Sequence, residues 1–237
     1  WFVTEDLPGF VSHFKQAGYT ALALHPYNAK FYSRSAAYPH LGFDAFYSEP
    51  DMYKRDGVTG KRGYITDQST AQMMKDLMDQ QEGPAFLFTI TMENHQPYEA
   101  LPPEEVRIQV HSSALSQATH TALTTYAQGL YDADQMLGEL AAWVDGRERP
   151  TVLVFFGDHL PTLGPNYQAY NETGFIDSSD GLSSQELQRL YSTPFLIYSN
   201  RETGGGLLTS RTGNQISDYA LLNTVVHSTG MPRTSYM

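Results

Sequence analysis

The chain has 237 residues, 26 of them acidic against 15 basic, for a formal charge of -11, and it contains no cysteine. The length suits one α/β domain with a sizeable core. The charge argues against a nucleic-acid-binding surface, whose phosphate contacts need Lys and Arg. Without cysteine there can be no disulfide, thiolate metal site or cysteine nucleophile. No run approaches the ~20 apolar residues of a membrane span. No signal peptide is legible, and the start at Trp1 suggests a piece of a longer protein.

In chain order, Thr4 to Gly18 reads as a helix, with Pro8 in its first turn, Phe10, Val11 and Phe14 on one face and Gly18 as its stop. Tyr19 to Leu24 is a short strand that runs into His25-Pro-Tyr-Asn28 and Lys30-Phe-Tyr-Ser-Arg34. Arg34 and Tyr32 there form either an anion site or an ordinary Arg-aromatic surface contact. The aromatic stretch Tyr38 to Tyr53 reads as packing and Lys54 to Gly63 as a surface loop. Thr66 or Asp67 caps a helix with Met73, Met74, Leu77 and Met78 at helical spacing.

Ala85 to Thr91 is a second strand, which delivers Glu93-Asn-His-Gln-Pro-Tyr98. An irregular excursion over 99 to 113 leads into a long helix from about Leu115 to Val144. Then comes Thr151-Val-Leu-Val-Phe-Phe-Gly-Asp-His-Leu-Pro161, an apolar run ending in a Gly, a carboxylate and an imidazole. Its length and bounding turn signals fit a strand buried on both faces. Ser184 to Leu190 reads as a short helix, Pro194 to Ser199 as a further strand and Arg201 to Gly213 as a glycine-rich loop. Ser217 caps a closing helix that Gly230 and Pro232 end.

Three apolar strands thus end in histidine, at His25, His95 and His159. In an open α/β sheet, ligands bind at the carboxyl ends of strands, so the expectation is that these ends gather along one edge of a parallel sheet. A carboxylate oxygen beside an imidazole nitrogen is half a ligand set for Zn²⁺ or Mn²⁺. By themselves Asp158 and His159 fit a loop cap and a surface histidine equally well.

Gly-Tyr-Thr leading into a strand and His25, Phe31-Tyr-Ser-Arg34, Leu41-Gly-Phe-Asp44, Asn94-His-Gln-Pro-Tyr98 and Gly157-Asp-His159 occur in one order along nearly the whole chain. In that order the chain resembles the sulfatase-like branch of the alkaline phosphatase superfamily, most closely the lipoteichoic acid synthase and phosphoglycerol transferase group. The resemblance implies an α/β fold with a mostly parallel sheet sandwiched by helices, incomplete at the N-terminus. Residues 1–237 would be the C-terminal portion of its catalytic domain.

By the same resemblance Asp158 and His159 are ligands of one divalent metal, Mn²⁺ first, with Mg²⁺, Ca²⁺ or Zn²⁺ as alternatives. His95, as catalytic residue, and Arg34 contact the substrate phosphate, Tyr32 stands where the synthases usually carry Trp, and His25 falls beside them as a substrate-binding residue. Tyr27 stands where some synthases have an Asp that meets the glycerol headgroup. The Thr nucleophile and a Glu ligand would lie upstream of this chain, so the intact parent is expected to be an enzyme and the fragment alone inactive. Partners would be a phospholipid headgroup or anionic glycan, with the parent held at the extracellular face of the bacterial cell membrane. A sulfate or phosphate ester hydrolase of the same fold and a non-catalytic anionic-glycan module are the alternatives. Serine-hydrolase, P-loop and dinucleotide fingerprints are absent.

Overall fold

The structure is a computed structural model that describes residues 3–201 and 215–229. Its elements, in order, are α1 (Phe10–Gln16), β1 (Thr20–His25), α2 (Arg34–His40), β2 (Ala45–Ser48), α3 (Glu49–Met52), β3 (Gly60–Lys61), β4 (Tyr64–Ile65), α4 (Asp67–Asp79), β5 (Ala85–Thr89), α5 (Gln117–Asp145), β6 (Val152–Phe156), α6 (Gln168–Glu172), α7 (Ser184–Leu190), β7 (Phe195–Ser199) and α8 (Asp218–Ser228). The fold is α/β with a parallel sheet, as expected. The chain divides into two compact units. One takes Trp1–Glu93, Leu140–Leu153 and Ile197–Met237; the other takes Asn94–Glu139 and Val154–Leu196.

The first unit is built on a three-stranded sheet in the order β2-β1-β5. Both pairings are parallel, with Leu22 opposite Ala45 and Leu87. Because side chains alternate along a strand, Leu22 and Leu24 face one way. They pack with Met52, Ile65, Met73 and Leu77 into a buried cluster that Leu87 joins. Phe86 points the other way and stacks on Phe14 of α1, with centroids 4.3 Å apart and planes within 5°. The sheet is therefore covered on both faces, which is why β1 reads as an unbroken apolar run. Each fully buried Leu of the cluster contributes about 1.5–3 kcal/mol.

Several local expectations shift. The first helix starts at Phe10, because Gly9 caps it in extended conformation and leaves Pro8 outside. Gly18, at φ 85, ends it as expected. The segment read as a surface loop before Gly63 contains one arm of a hairpin: β3 pairs antiparallel with β4. Arg62 and Gly63 form its two-residue turn, with φ 52 and 80, the twist that matches strand twist in tight hairpins. The Thr66 side chain caps α4 by accepting from the Ser69 N–H. Ser217 stands at the N-cap of α8, but its side chain makes no cap bond. Most of the loop read over Arg201 to Gly213, together with the helix stop at Gly230 and Pro232, lies outside the described residues.

The larger correction concerns the third histidine-ending strand. β6 joins β7 in a separate two-stranded sheet. The Gly157 N–H donates to the Pro194 carbonyl and the Asn200 N–H to the Thr151 carbonyl, so this pair runs antiparallel. Val152 to Phe155 are half-buried, and Phe156 of β6 and Phe195 and Leu196 of β7 are exposed. An apolar run carries no information about which sheet it enters, and only β1 and β5 share the expected parallel edge. Among the described residues no helix is long and apolar enough to cross a membrane.

Candidate active site

In the first unit, β1 hands the chain to His25, which is 1% exposed. Its Nδ1–H donates to the Ile90 carbonyl just past β5, at 3.0 Å. A carbonyl can only accept, so Nε2 carries the lone pair. That nitrogen is buried and has no hydrogen-bond partner among the described residues. Burial lowers the His25 pKa, and the Arg34 charge lowers it further against the opposing carbonyl bond. The imidazole is therefore neutral at pH 7.

Arg34 opens α2 behind two consecutive left-handed residues, Tyr32 and Ser33, at φ 53 and 54. Such backbone costs on the order of 1–3 kcal/mol per residue away from Gly and tends to mark functional loops. Here it turns the guanidinium back over the loop. The Arg34 Nη1 donates to the Phe31 carbonyl at 3.2 Å, its carbon lies 5.2 Å from the Tyr32 ring centroid, and it hydrogen-bonds the Tyr38 hydroxyl. Tyr32 is 79% exposed. A string of ring contacts runs from His25 through Tyr27 to Phe31 and Tyr32, with Tyr64 also on Tyr27. A cation framed by exposed aromatic faces suits an anionic headgroup.

The first segment of that unit ends at Glu93, which is 1% exposed. Its carboxylate accepts from the Asp67 N–H at the start of α4, at 2.6 Å, and lies 3.9 Å from the Lys61 ammonium. The Arg62 guanidinium donates to its carbonyl. Nothing in the sequence singles out Lys61 or Arg62, because the two-residue strands of their hairpin carry no period.

In the second unit, His95 stands in an exposed turn whose neighbours are fastened to α5. The Asn94 amide donates to the Tyr126 carbonyl at 3.4 Å, and the Tyr98 hydroxyl donates back to the Asn94 carbonyl at 2.9 Å. Tyr98 meets Tyr126 edge to face, and the Thr125 hydroxyl donates to the Glu99 carbonyl at 2.6 Å. A Cβ on Gly129 would overlap the Asn94 side chain; α5 thus needs glycine there for the loop to lie this close. Helical period identifies Thr125, Tyr126 and Gly129 only as helix; the i+4 and i+3 spacing of Gly129 from Thr125 and Tyr126 is the available signal. The His95 Nδ1–H donates to the Gln96 carbonyl at 2.8 Å.

β6 gives way to Gly157, where a Cβ would come within 3.1 Å of the Thr193 Cβ. The Thr193 hydroxyl donates to the Gly157 carbonyl at 2.6 Å and closes the turn. Asp158 and His159 follow, both largely exposed. Adjacent side chains on extended backbone diverge; here the Asp158 Oδ1 accepts from the His159 N–H at 2.9 Å and folds the carboxylate back. The His159 Nδ1–H donates to the Leu160 carbonyl at 2.8 Å. The Asp158 Oδ2 and His159 Nε2 then stand 3.6 Å apart. A carboxylate oxygen and an imidazole nitrogen of the correct tautomer, side by side, fit two ligands of one divalent cation. Among the described residues no group of three or more such donors occurs, so the fit is to part of a ligand set.

Tyr170 donates to the Pro161 carbonyl at 2.6 Å and supports the chain beyond. Burial, with the Tyr126 phenol adding to it, pushes its pKa up to about 12, so it remains a donor at any working pH.

The sulfatase family model matches residues 1–231. A protein of Rhizobium meliloti (strain 1021) named for cyclic beta-1,2-glucan modification is 33% identical over 201 residues, which are 84% of this chain and 31% of that protein. Among solved structures, the phosphoglycerol transferase GacH of Streptococcus pyogenes, in complex with sn-glycerol-1-phosphate, superposes with a TM-score of 0.69 at 21% identity, over 92% of this chain and 52% of GacH. The lipoteichoic acid synthase LtaP of Listeria monocytogenes gives 0.60 at 20% identity, over 82% of this chain and 47% of LtaP. The chain spans about a third of the curated relative and about half of these solved chains.

Proposed function

The chain belongs to the sulfatase family, and from that membership we propose that residues 1–237 are the C-terminal portion of the catalytic domain of a metal-dependent headgroup transferase of the lipoteichoic acid synthase type. The observation that carries this reading is the Asp158–His159 pair, with its two ligand atoms 3.6 Å apart and its histidine tautomer fixed by Leu160.

Asp158 and His159 would hold a divalent cation, Mn²⁺ in first place. A cation bound there supplies positive charge for the transferring phosphoryl oxygens and lowers the pKa of a coordinated hydroxyl. Arg34 binds the phosphate through its fork, with the Tyr32 ring against the headgroup. His25, held neutral and buried, backs the Tyr27 ring from beneath the Arg34 loop and acts on substrate binding through that loop. His95 exchanges a proton with the leaving alkoxide through Nε2, because its Nδ1–H is tied to Gln96. The Thr nucleophile and a Glu ligand lie outside these residues, in keeping with the share of its relatives that the chain spans.

The donor is a phospholipid headgroup. The acceptor is a cell-envelope glycan, in line with the Rhizobium relative's name, and the work is done at the outer face of the cell membrane. Tyr27, in place of an acid, favours a second reading in which the same machinery hydrolyses a phosphate or sulfate ester.

The test uses the longer protein with Mn²⁺ and phosphatidylglycerol. Release of diacylglycerol, lost on Asp158→Ala and on His95→Ala, is the expected outcome. Cleavage of an aryl sulfate with no diacylglycerol release would move the assignment to the hydrolase, and normal turnover in Asp158→Ala would overturn both readings.

A further inference from the structure

The second unit contains an open pocket of ≈530 Å³ that reaches from the His95 turn to α5 and to the segment after Pro161. That volume falls within the ~300–1,000 Å³ of small-molecule sites. Gln96, Pro97 and Tyr98 form one wall, Ala122 of α5 another, and Thr162 and Gly164 a third. No carboxylate, Lys or Arg lines it among the described residues, so its chemistry suits an uncharged ligand. The Tyr98 hydroxyl is turned inward to the Asn94 carbonyl, which leaves its ring, with Pro97, as the apolar surface offered. Gln96 and Thr162 add neutral polar residues to the lining. Flat apolar faces beside neutral hydrogen-bonding groups match the alternating C–H and O–H surfaces of a sugar.

Resting on the transferase reading above, we propose that this pocket is the acceptor subsite and binds a neutral saccharide with one hydroxyl at His95. In transfer, the sugar oxygen forms the new P–O bond and its proton passes to the His95 Nε2. The bond that breaks joins phosphorus to the phosphorylated nucleophile, whose oxygen keeps the electron pair.

The experiment is saturation-transfer NMR of sophorose, a neutral glucose disaccharide, with the 237-residue chain, following the His95 ring protons at the same time. Wild type is expected to bind and to shift the His95 signals. Ala122→Leu, which fills the pocket from a helix position that tolerates Leu, is expected to weaken binding about tenfold, the scale of a misfit in a shaped pocket. Thr162→Gln, on an exposed loop, fills the third wall without burdening the fold and is expected to act alike. No binding by wild type, or equal binding by a correctly folded filled variant, would overturn the proposal. Neither metal nor turnover enters this readout; failure of the pocket therefore leaves diacylglycerol release intact, and failure of the transferase reading leaves sophorose binding intact.

Discussion

The three strand-end histidines share one device. Each donates Nδ1–H to a backbone carbonyl, His25 to Ile90, His95 to Gln96 and His159 to Leu160, so in each the lone pair is on Nε2 in the neutral ring. What separates them is exposure: His25 is buried while the other two are open to solvent. The sequence supplied the residue types at strand ends, but tautomer and burial depend on carbonyls that only folding brings near, Ile90 being 65 residues from His25. Burial sets a pH dependence. The folded His25 pKa lies below its ordinary 6.5, so as pH falls the unfolded chain takes the proton first. The stability this neutral histidine contributes is full above about 6.5 and is lost as pH drops through the folded value. Thermal midpoints taken from about pH 7.5 to about pH 5 should fall less for His25→Asn, whose amide still reaches Ile90, than for wild type.

Among the elements, α5 does more than fill a layer. Its Thr125, Tyr126 and Gly129 hold the segment from Asn94 to Glu99, and Gly129→Ala would force the Asn94 side chain off the helix. Overpacking of this kind costs about 1–3 kcal/mol. In the longer protein the expected result is a lower denaturation midpoint together with a fall in kcat that exceeds any change in KM, because the loop carries His95, the proposed proton-transfer group. Adding Asn94→Ala should restore part of the midpoint. For the sheet, Leu24→Ala in the cluster with Met52, Ile65 and Met73 should cost about 2–5 kcal/mol, read by urea unfolding. Helical period made α5 legible, and the apolar run made β1 legible. The hairpin of β3 and β4 was not, since two-residue strands carry no period and Arg62 is an unusual residue for a left-handed turn position.

For the molecule as a whole, the ligand pair proposed at Asp158 and His159, two donors only, predicts weak metal binding. Titrated with Mn²⁺, the 237-residue chain should bind at least about tenfold more weakly than the longer protein, since the loss of even an outer-shell partner costs that much, and Asp158→Asn should remove what binding remains. Equal affinity of the short and long proteins would place the whole site within these residues. What the sequence determined by itself is the α/β class, the long helix and the polar ends of its apolar strands, because period, turn residues and residue type are local properties of the chain. The family is legible too, through the order of landmarks from His25 to His159. Only the tertiary structure decided that β6 pairs with β7, that the Asp158 carboxylate and the His159 Nε2 stand side by side, and that Gly129 seats Asn94. Those are contacts between backbones and side chains whose partners no local pattern names.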